Sequence, residues 1–204
     1  METNYSISRP ELLTVTQDGH SWRGADQLWY HDDWQQKAGC GPTTASMMAS
    51  YLAQTRRDCA SLYPSGSWEQ GDVIALMEEM WNFVTPGKHG VNTTHLFVKG
   101  LTAFAAGKGV TLPLRELDIP RLRLARPTMD QCAAFLRSSL NADQPVAWLN
   151  LHRGEVEALD DWHWVIIIAL EERRDGTELC TILDGGREYA VDFRLCSRPP
   201  SWAA

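Results

Sequence analysis

The chain has 204 residues, enough for one domain with a substantial hydrophobic core. Its 19 basic and 26 acidic residues give a formal charge of −7, which disfavours a nucleic-acid binder that works through a basic surface. No apolar run approaches the ~20 residues of a membrane-spanning helix, and no secretory signal is visible at the N-terminus. The five cysteines form no CxxC pair, which indicates reduced thiols. We therefore expect a cytoplasmic protein with no nucleic-acid or membrane partner.

Helices are predicted first along the chain and strands afterwards. Residues 1–29 are a mixed, polar lead-in, and residues 55–70 are expected to form a loop. Capping residues and apolar periodicity predict helices from just after Cys40 to about Gln54, from Asp72 through VIALMEEMWNFV, from Thr93 or Thr94 to Gly107 or Gly109, and from Thr128 with Gln131 through CAAFLRSSL. Four strand-like runs follow: PVAWLNL, HWVIIIAL, ELCTILD and REYAVDFRL. This order indicates an α+β fold, a helical half packed on an antiparallel sheet, as a single domain over 1–204 with its core at about 30–195.

A cysteine between two glycines opens the first predicted helix, in GCGPTTASMM. A thiol attacks as a thiolate, and the unpaired N–H groups and the dipole at a helix start favour that anion. Gly39 and Gly41 would permit a sharp turn and let a substrate carbonyl approach, and Pro42 suits a first helical turn. The alternative is a small buried cysteine at an ordinary helix start. The pattern favours Cys40 as a nucleophile that needs an adjacent imidazolium.

Among six histidines, His163 is the first candidate for that imidazolium. It begins the apolar strand in DWHWVIIIAL, where a side chain is held in place and partly shielded from water. Period-2 alternation puts it on one face with Val165, and puts Trp162 and Trp164 on the other face. A core histidine satisfied by a backbone carbonyl is the alternative interpretation. His152 is the second candidate for the base.

A catalytic imidazole also needs a group that orients it. Asp184 ends the run ELCTILD just before Gly185 and Gly186, and a short connection between antiparallel strands would bring it beside His163. An acidic residue at such a junction is also common for turn reasons alone. Asp192 and Asp160 are weaker candidates.

Cysteine, histidine and aspartate in this order resemble the papain-like cysteine peptidase superfamily. GCGPTTASMM resembles the nucleophile helix of the bacterial bacteriocin-processing (double-glycine) peptidase branch, and WHWVIIIAL and TILDGG resemble its histidine strand and aspartate turn. The resemblance covers roughly residues 30–195. It implies a papain-like fold, with the nucleophile at a helix N-terminus and the other two triad members on the sheet.

The resemblance also implies a glutamine in the oxyanion hole, commonly six residues before the cysteine. Trp34 occupies that position here, so Gln35 or Gln36 is expected to serve. The backbone N–H of Cys40 would be the second donor. Members of the superfamily usually shield the His–Asp pair with an aromatic residue, but the two tryptophans beside His163 are expected on the opposite face and are not assigned that role.

The expected function is a cysteine peptidase, or another thiol hydrolase, that cleaves a peptide or amide bond in a peptide or protein substrate. Two alternatives remain open: an acyltransferase or transglutaminase-like enzyme with the same triad, and a catalytically inactive papain-like binding module. No metal or other cofactor is expected, because the histidines and cysteines lack ligand spacing. Acidic residues before His163 could favour a basic substrate, although a solvated loop is the more ordinary interpretation; they are Glu155, Glu157, Asp160 and Asp161.

Overall fold

A computed structural model describes residues 2–120, 123–151, 156 and 159–196, and it has helices in the N-terminal half and an antiparallel sheet in the C-terminal half. The helices are α1 (Asp33–Ala38), α2 (Cys40–Thr55), α3 (Gln70–Trp81), α4 (Thr94–Gly107), α5 (Met129–Asn141) and α6 (Phe193–Cys196). The strands are β1 (Thr3–Ser6), β2 (Thr14–Gln17), β3 (His20–Arg23), β4 (Val146–Asn150), β5 (His163–Glu172), β6 (Glu178–Asp184) and β7 (Arg187–Asp192). Short 3-10 turns cover Pro10–Leu13, Gln27–Trp29, Arg57–Leu62 and Arg123–Ala125. The predicted α+β class is confirmed.

The predicted helix starts are confirmed where a side-chain cap is present. Thr93 caps α4 by accepting a hydrogen bond from the N–H of Leu96 at 3.2 Å. Thr128 and Gln131 form the predicted capping box of α5. Asp72, in contrast, is not a cap, because α3 begins at Gln70 and Asp72 lies in its first turn. There its carboxylate still faces the positive end of the helix dipole.

Two elements differ from the sequence prediction because a side chain caps a short helix. The first is α1, which was not predicted: the Asp32 carboxylate accepts hydrogen bonds from the N–H groups of Trp34 and Gln35, at 2.8 and 3.2 Å. The second is α6, which replaces the end of the predicted strand REYAVDFRL. There Asp192 accepts from the N–H groups of Arg194 and Leu195, at 2.9 and 3.2 Å.

Residues 1–29 are more than a lead-in to the core. Strand β1 pairs antiparallel with β5 in the main sheet, with Tyr5 opposite Leu170. The hairpin of β2 and β3 follows, and the side chains of Leu13 and Val15 are fully buried. The loop predicted at 55–70 likewise contains a 3-10 turn whose Leu62 side chain lies in the same core.

The sheet is organised around β5, which pairs with β1 and β4 along one edge and with β6 along the other; β7 follows β6. Every one of these pairings is antiparallel. A β-bulge interrupts the pairing of β5 with β6 between Ile167 and Ala169. The bulge gives β5 one extra residue, so the register of the two strands differs by one on its two sides.

Within the described part of the chain, no helix combines the length and the apolar character that crossing a bilayer requires.

The Asp143 carboxylate ties α2 to the segment that follows β1. It accepts hydrogen bonds from the N–H and hydroxyl of Ser8, at 2.7 and 2.9 Å, and from the hydroxyl of Tyr51 in α2, at 2.6 Å. Burial acts to raise the pKa of Asp143, but these hydrogen bonds outweigh it and hold the pKa below its usual value. The backbone of Asp143 has φ 56°, a left-handed conformation that asparagine also tolerates.

We therefore expect Asp143→Asn to lower the free energy of unfolding at pH 7 by about 1 kcal/mol, because a charge-assisted acceptor is replaced by a neutral one. A lowered carboxyl pKa contributes stability above the unfolded value of about 3.9, and that stability is lost as the pH falls through the native pKa. The difference between wild type and variant should thus persist from pH 7 to about 4 and shrink below it, as measured by urea denaturation. The exposed Asp118→Asn is the control, and an equal loss there would contradict a specific role for Asp143.

Candidate active site

The first turn of α2 holds Cys40, and close packing explains the glycines on either side of it. Neither glycine makes the sharp turn expected from the sequence: Gly39 has helical φ −82°, and Gly41 lies inside α2. A Cβ on Gly39 would lie 2.7 Å from the ring of Tyr30, and a Cβ on Gly41 would lie 2.9 Å from Val91. The N–H of Thr43 donates to the carbonyl of Gly39 at 2.9 Å, which closes the first turn. The thiol of Cys40 is half-buried.

The β-bulge places Asp184 on the same face of the sheet as His163. If the pairing of Glu172 with Glu178 continued without a bulge, Asp184 would lie opposite Ile166, whose side chain points away from the face of His163. With the bulge, Ile166 pairs with Leu183, so Asp184 lies opposite Val165. The side chain of Val165 is on the face of His163, and so is that of Asp184. The side chains then meet across the strands.

The His163 ring is hydrogen-bonded to Asp184, with Nε2 and Oδ1 2.7 Å apart. Their side chains are only 14% and 23% exposed. The chain leaves Asp184 through Gly185 and Gly186, whose φ values of 55° and 70° fit the tight two-residue turn that joins β6 to β7. The predicted pairing of histidine and aspartate is therefore present in the structure.

Cys40 is the second partner of the imidazole. The two residues border the same narrow groove, and Nδ1 is the ring nitrogen that the contact with Asp184 leaves free. Burial alone would lower the pKa of His163, but its hydrogen bonds to Asp184 and Cys40 outweigh burial and raise that pKa to about 10. At neutral pH the ring is therefore an imidazolium, the form that can pair with a thiolate.

Tyr189, on β7, is a member of the site that the sequence analysis missed. Its hydroxyl donates a hydrogen bond to Oδ2 of Asp184 at 3.0 Å, so both carboxylate oxygens are engaged. Burial and the neighbouring charge of Asp184 raise the pKa of Tyr189, which keeps the hydroxyl protonated as a donor. Tyr189 pairs with Ile182, two residues before Asp184, so the register of β6 and β7 was the signal that could have found it.

The structure does not bring Gln35 or Gln36 to Cys40. Gln36 donates both amide hydrogens to backbone carbonyls, those of Leu28 and Tyr30, at 3.2 and 2.7 Å. Gln35 instead donates to the carboxylate of Glu78 at 2.6 Å. Neither residue is among those that line the two hollows beside Cys40. Their expected place in the site is wrong, because α1 turns both side chains away.

A different glutamine, Gln27, lies beside the triad. It borders a narrow groove of about 10 Å³, room for about one water molecule, together with Cys40, His163 and Asp184. Its amide nitrogen donates one hydrogen to the backbone carbonyl of Gln36 at 2.7 Å. An amide carries two hydrogens, so a second one remains for a ligand in the groove.

Cys40 also borders a wider hollow, which we call the open cleft. It has a volume of about 250 Å³ and is lined, among others, by Trp34, Lys37, Lys88, His89, Leu149 and Trp162. The two tryptophans beside His163, which the sequence analysis did not assign to shield the His–Asp pair, each border a hollow next to Cys40. Trp162 precedes β5 with φ 58°, so strand alternation does not apply to it. Trp164 borders the narrow groove and donates its indole N–H to the carbonyl of Val91 at 2.6 Å.

The other sequence candidates lie apart from this pair of hollows or outside the described residues. His152, Glu155 and Glu157 are outside the described residues. Asp160 holds β4 instead: its backbone carbonyl accepts from the buried side chain of Asn150 at 2.7 Å. Within the described ranges, no three histidine, cysteine, aspartate or glutamate side chains come together as metal ligands.

Comparison of the chain with protein-family models, with curated proteins and with solved structures gives no match. The chemistry of the site therefore has to follow from its geometry.

The geometry predicts that His163 stays charged well above neutral pH. Because its pKa is raised, the ring should remain an imidazolium through the neutral range and should lose its proton only as the pH rises through about 10. Asp184→Asn should lower this midpoint by one unit or more, because the variant removes the carboxylate charge. NMR titration of the imidazole C–H signals checks both expectations, and the signal is assigned by its loss in His163→Gln. A midpoint near 6.5 in the wild type would contradict the ion pair.

Proposed function

We propose that the protein is a papain-like cysteine peptidase or a closely related thiol hydrolase, with Cys40, His163 and Asp184 as its triad. The observation that carries this proposal is the His163 ring, held between the Asp184 carboxylate and the Cys40 thiol at the first turn of α2. An imidazolium that is charged at neutral pH and faces a half-buried thiol favours the thiolate. A thiolate beside an open cleft can attack a bound carbonyl carbon.

The first half-reaction forms an acyl-enzyme. The sulfur of Cys40 adds to the substrate carbonyl carbon, and the carbonyl electron pair moves to oxygen to give a tetrahedral oxyanion. As this collapses, the C–N bond breaks and His163 gives its proton to the departing amine. The products are a thioester on Cys40, a free amine and a neutral imidazole. Asp184 still holds this imidazole in position through its hydrogen bond.

The second half-reaction consumes water. Neutral His163 takes a proton from a water molecule as the oxygen adds to the thioester carbonyl. The C–S bond then breaks, and the thiolate and imidazolium are restored while a carboxylic acid leaves. Asp184 does not need to accept the proton, because its role is to fix the ring and stabilise its charge.

The oxyanion in both steps needs donors that are already in place. The backbone N–H of Cys40 is one, since the first N–H groups of a helix have no intrahelical acceptor. The free amide hydrogen of Gln27 is the other, because this side chain borders the same groove as Cys40 and His163. Gln27 thus takes the role that the sequence analysis gave to Gln35 or Gln36.

Activity profiling against a peptide library tests the proposal. Cys40→Ala and His163→Gln should each abolish turnover, with the fold retained by circular dichroism. Gln27→Ala should reduce kcat by about 10²-fold, the usual effect of losing one oxyanion donor. Gln35→Ala is the matched control and should retain activity within about threefold, because its amide is bonded to Glu78. Turnover by Cys40→Ala would overturn the proposal.

The cysteines should also separate by reactivity. Burial raises the pKa of the Cys59 and Cys132 thiols, and Cys180 is fully buried, so none of the three favours a thiolate. Cys40 has the helix start and the imidazolium. Brief treatment of the folded protein with iodoacetamide at pH 6, where an ordinary thiol is only ~0.3% ionised, should therefore label Cys40 first.

Peptide mapping by mass spectrometry reads out this labelling, and His163→Gln should remove the preference. Labelling of another cysteine first, or labelling of Cys40 that does not depend on His163, would show that the ion pair is absent.

A further inference from the structure

We propose that the open cleft binds a carboxylate of the substrate, either an acidic side chain or a free C-terminal carboxylate, close to the bond that is attacked. The proposal rests on the proposed function for the attack itself, and it adds the chemical class of the substrate. It follows from the charge, the rigidity and the walls of the cleft.

The open cleft is positively charged in a negatively charged protein. Lys37 and Lys88 line it with His89, and none of the described aspartates or glutamates does. Neither lysine forms an ion pair with any of the described residues, although the chain carries a net charge of −7. Two unpaired ammonium groups beside a nucleophile are a site for an anion.

Lys88 is presented by a rigid tip of the chain. Gly87 and Gly90 exchange two backbone hydrogen bonds, at 3.2 and 2.9 Å, so Lys88 and His89 form the two-residue tip between them. Gly90 has φ 69°, a conformation that suits glycine. The backbone that carries the lysine is therefore ordered before a ligand arrives, which lowers the entropy lost on binding.

Lys37 is presented by α1. Trp34 and Lys37 are three residues apart on this helix and so share the face that meets the cleft. Trp34 is 46% exposed there. Trp162, on the cleft as well, is 58% exposed. Exposed tryptophans on a cleft are apolar surfaces for the body of a ligand whose charged end meets the lysines.

The size of the cleft limits what enters it. Its volume of about 250 Å³ lies just below the ~300–1,000 Å³ of pockets that enclose drug-sized molecules. One or two residues of a peptide fit, with a carboxylate among them. This is the opposite of the basic substrate that the acidic segment before His163 suggested. Asp160 and Asp161 do not line the cleft.

The rates at which two small reagents alkylate Cys40 test the proposal. Iodoacetate and iodoacetamide both transfer a CH₂ group to sulfur: the S–C bond forms, the C–I bond breaks and iodide leaves. They have nearly the same shape, but only iodoacetate carries a carboxylate. We expect the ratio of their rates at Cys40 to exceed that of a neutral cysteine peptide by about tenfold at low ionic strength, and to fall as salt is added.

Three variants identify the source of this preference. Lys37→Gln and Lys88→Gln should each lower the rate ratio about three- to fivefold, because each removes one charge near the carboxylate. Lys99→Gln removes the same charge from an exposed position on α4 and should leave the ratio unchanged. A wild-type ratio equal to that of the free peptide, or an equal effect of Lys99→Gln, would overturn the proposal.

The same experiment separates this proposal from the proposed function. If Cys40 reacts no faster than a free thiol with either reagent, the nucleophile assignment fails, while the ratio still reports the charge of the cleft.

Matched peptides then distinguish the two sources of the carboxylate. A preference for Glu over Gln at one position, lost in Lys88→Gln, points to a side chain, and a preference for a free C-terminus over its amide points to the terminus. Peptides cleaved without either preference would overturn the assignment of the substrate class.

Discussion

The site depends on one constraint: the imidazole of His163 must reach a carboxylate with one nitrogen and a thiol with the other. The three groups come from the start of α2, the start of β5 and the end of β6. A ring that is 14% exposed cannot exchange these partners for water without cost, so the ends of the three elements have to coincide. The bulge in β5 serves this requirement, since it sets which face Asp184 occupies.

The position of Cys40 is fixed by backbone packing rather than by its own side chain. Gly39 approaches the buried ring of Tyr30, and Gly41 approaches Val91, so closely that no side chain fits at either position. The hydroxyl of Tyr30 in turn donates to a carbonyl of α3, that of Met77, at 3.0 Å. Cys40 is therefore held between α3 and the loop before α4, and a small shift of either would move its sulfur away from the imidazole.

Local signals in the sequence predicted most of the fold and the proximity of Cys40, His163 and Asp184. Capping by Thr93 and Thr128 and the apolar runs of β5 and β6 act over a few residues, so a sequence pattern contains them. The bulge, the contact of Tyr189 with Asp184 and the position of Gln27 depend on residues distant in the chain. The assignment of Gln35 or Gln36 to the oxyanion hole failed for a specific reason. Helix α1 was not predicted, so the assignment used only the distance of these residues from Cys40 along the chain and not the direction of their side chains.

In the proposed mechanism, helix α1 would link substrate binding to catalysis. Its Trp34 and Lys37 line the open cleft, while the carbonyl of Gln36 accepts a hydrogen bond from the amide of Gln27, which borders the narrow groove beside Cys40. Gln36 itself is fixed by two backbone carbonyls of the preceding segment. A ligand that pulls on Lys37 would therefore act on the element that also holds Gln27, the proposed oxyanion donor. Because α1 is only six residues long and meets α2 at Gly39, such a movement would reach the nucleophile through one residue.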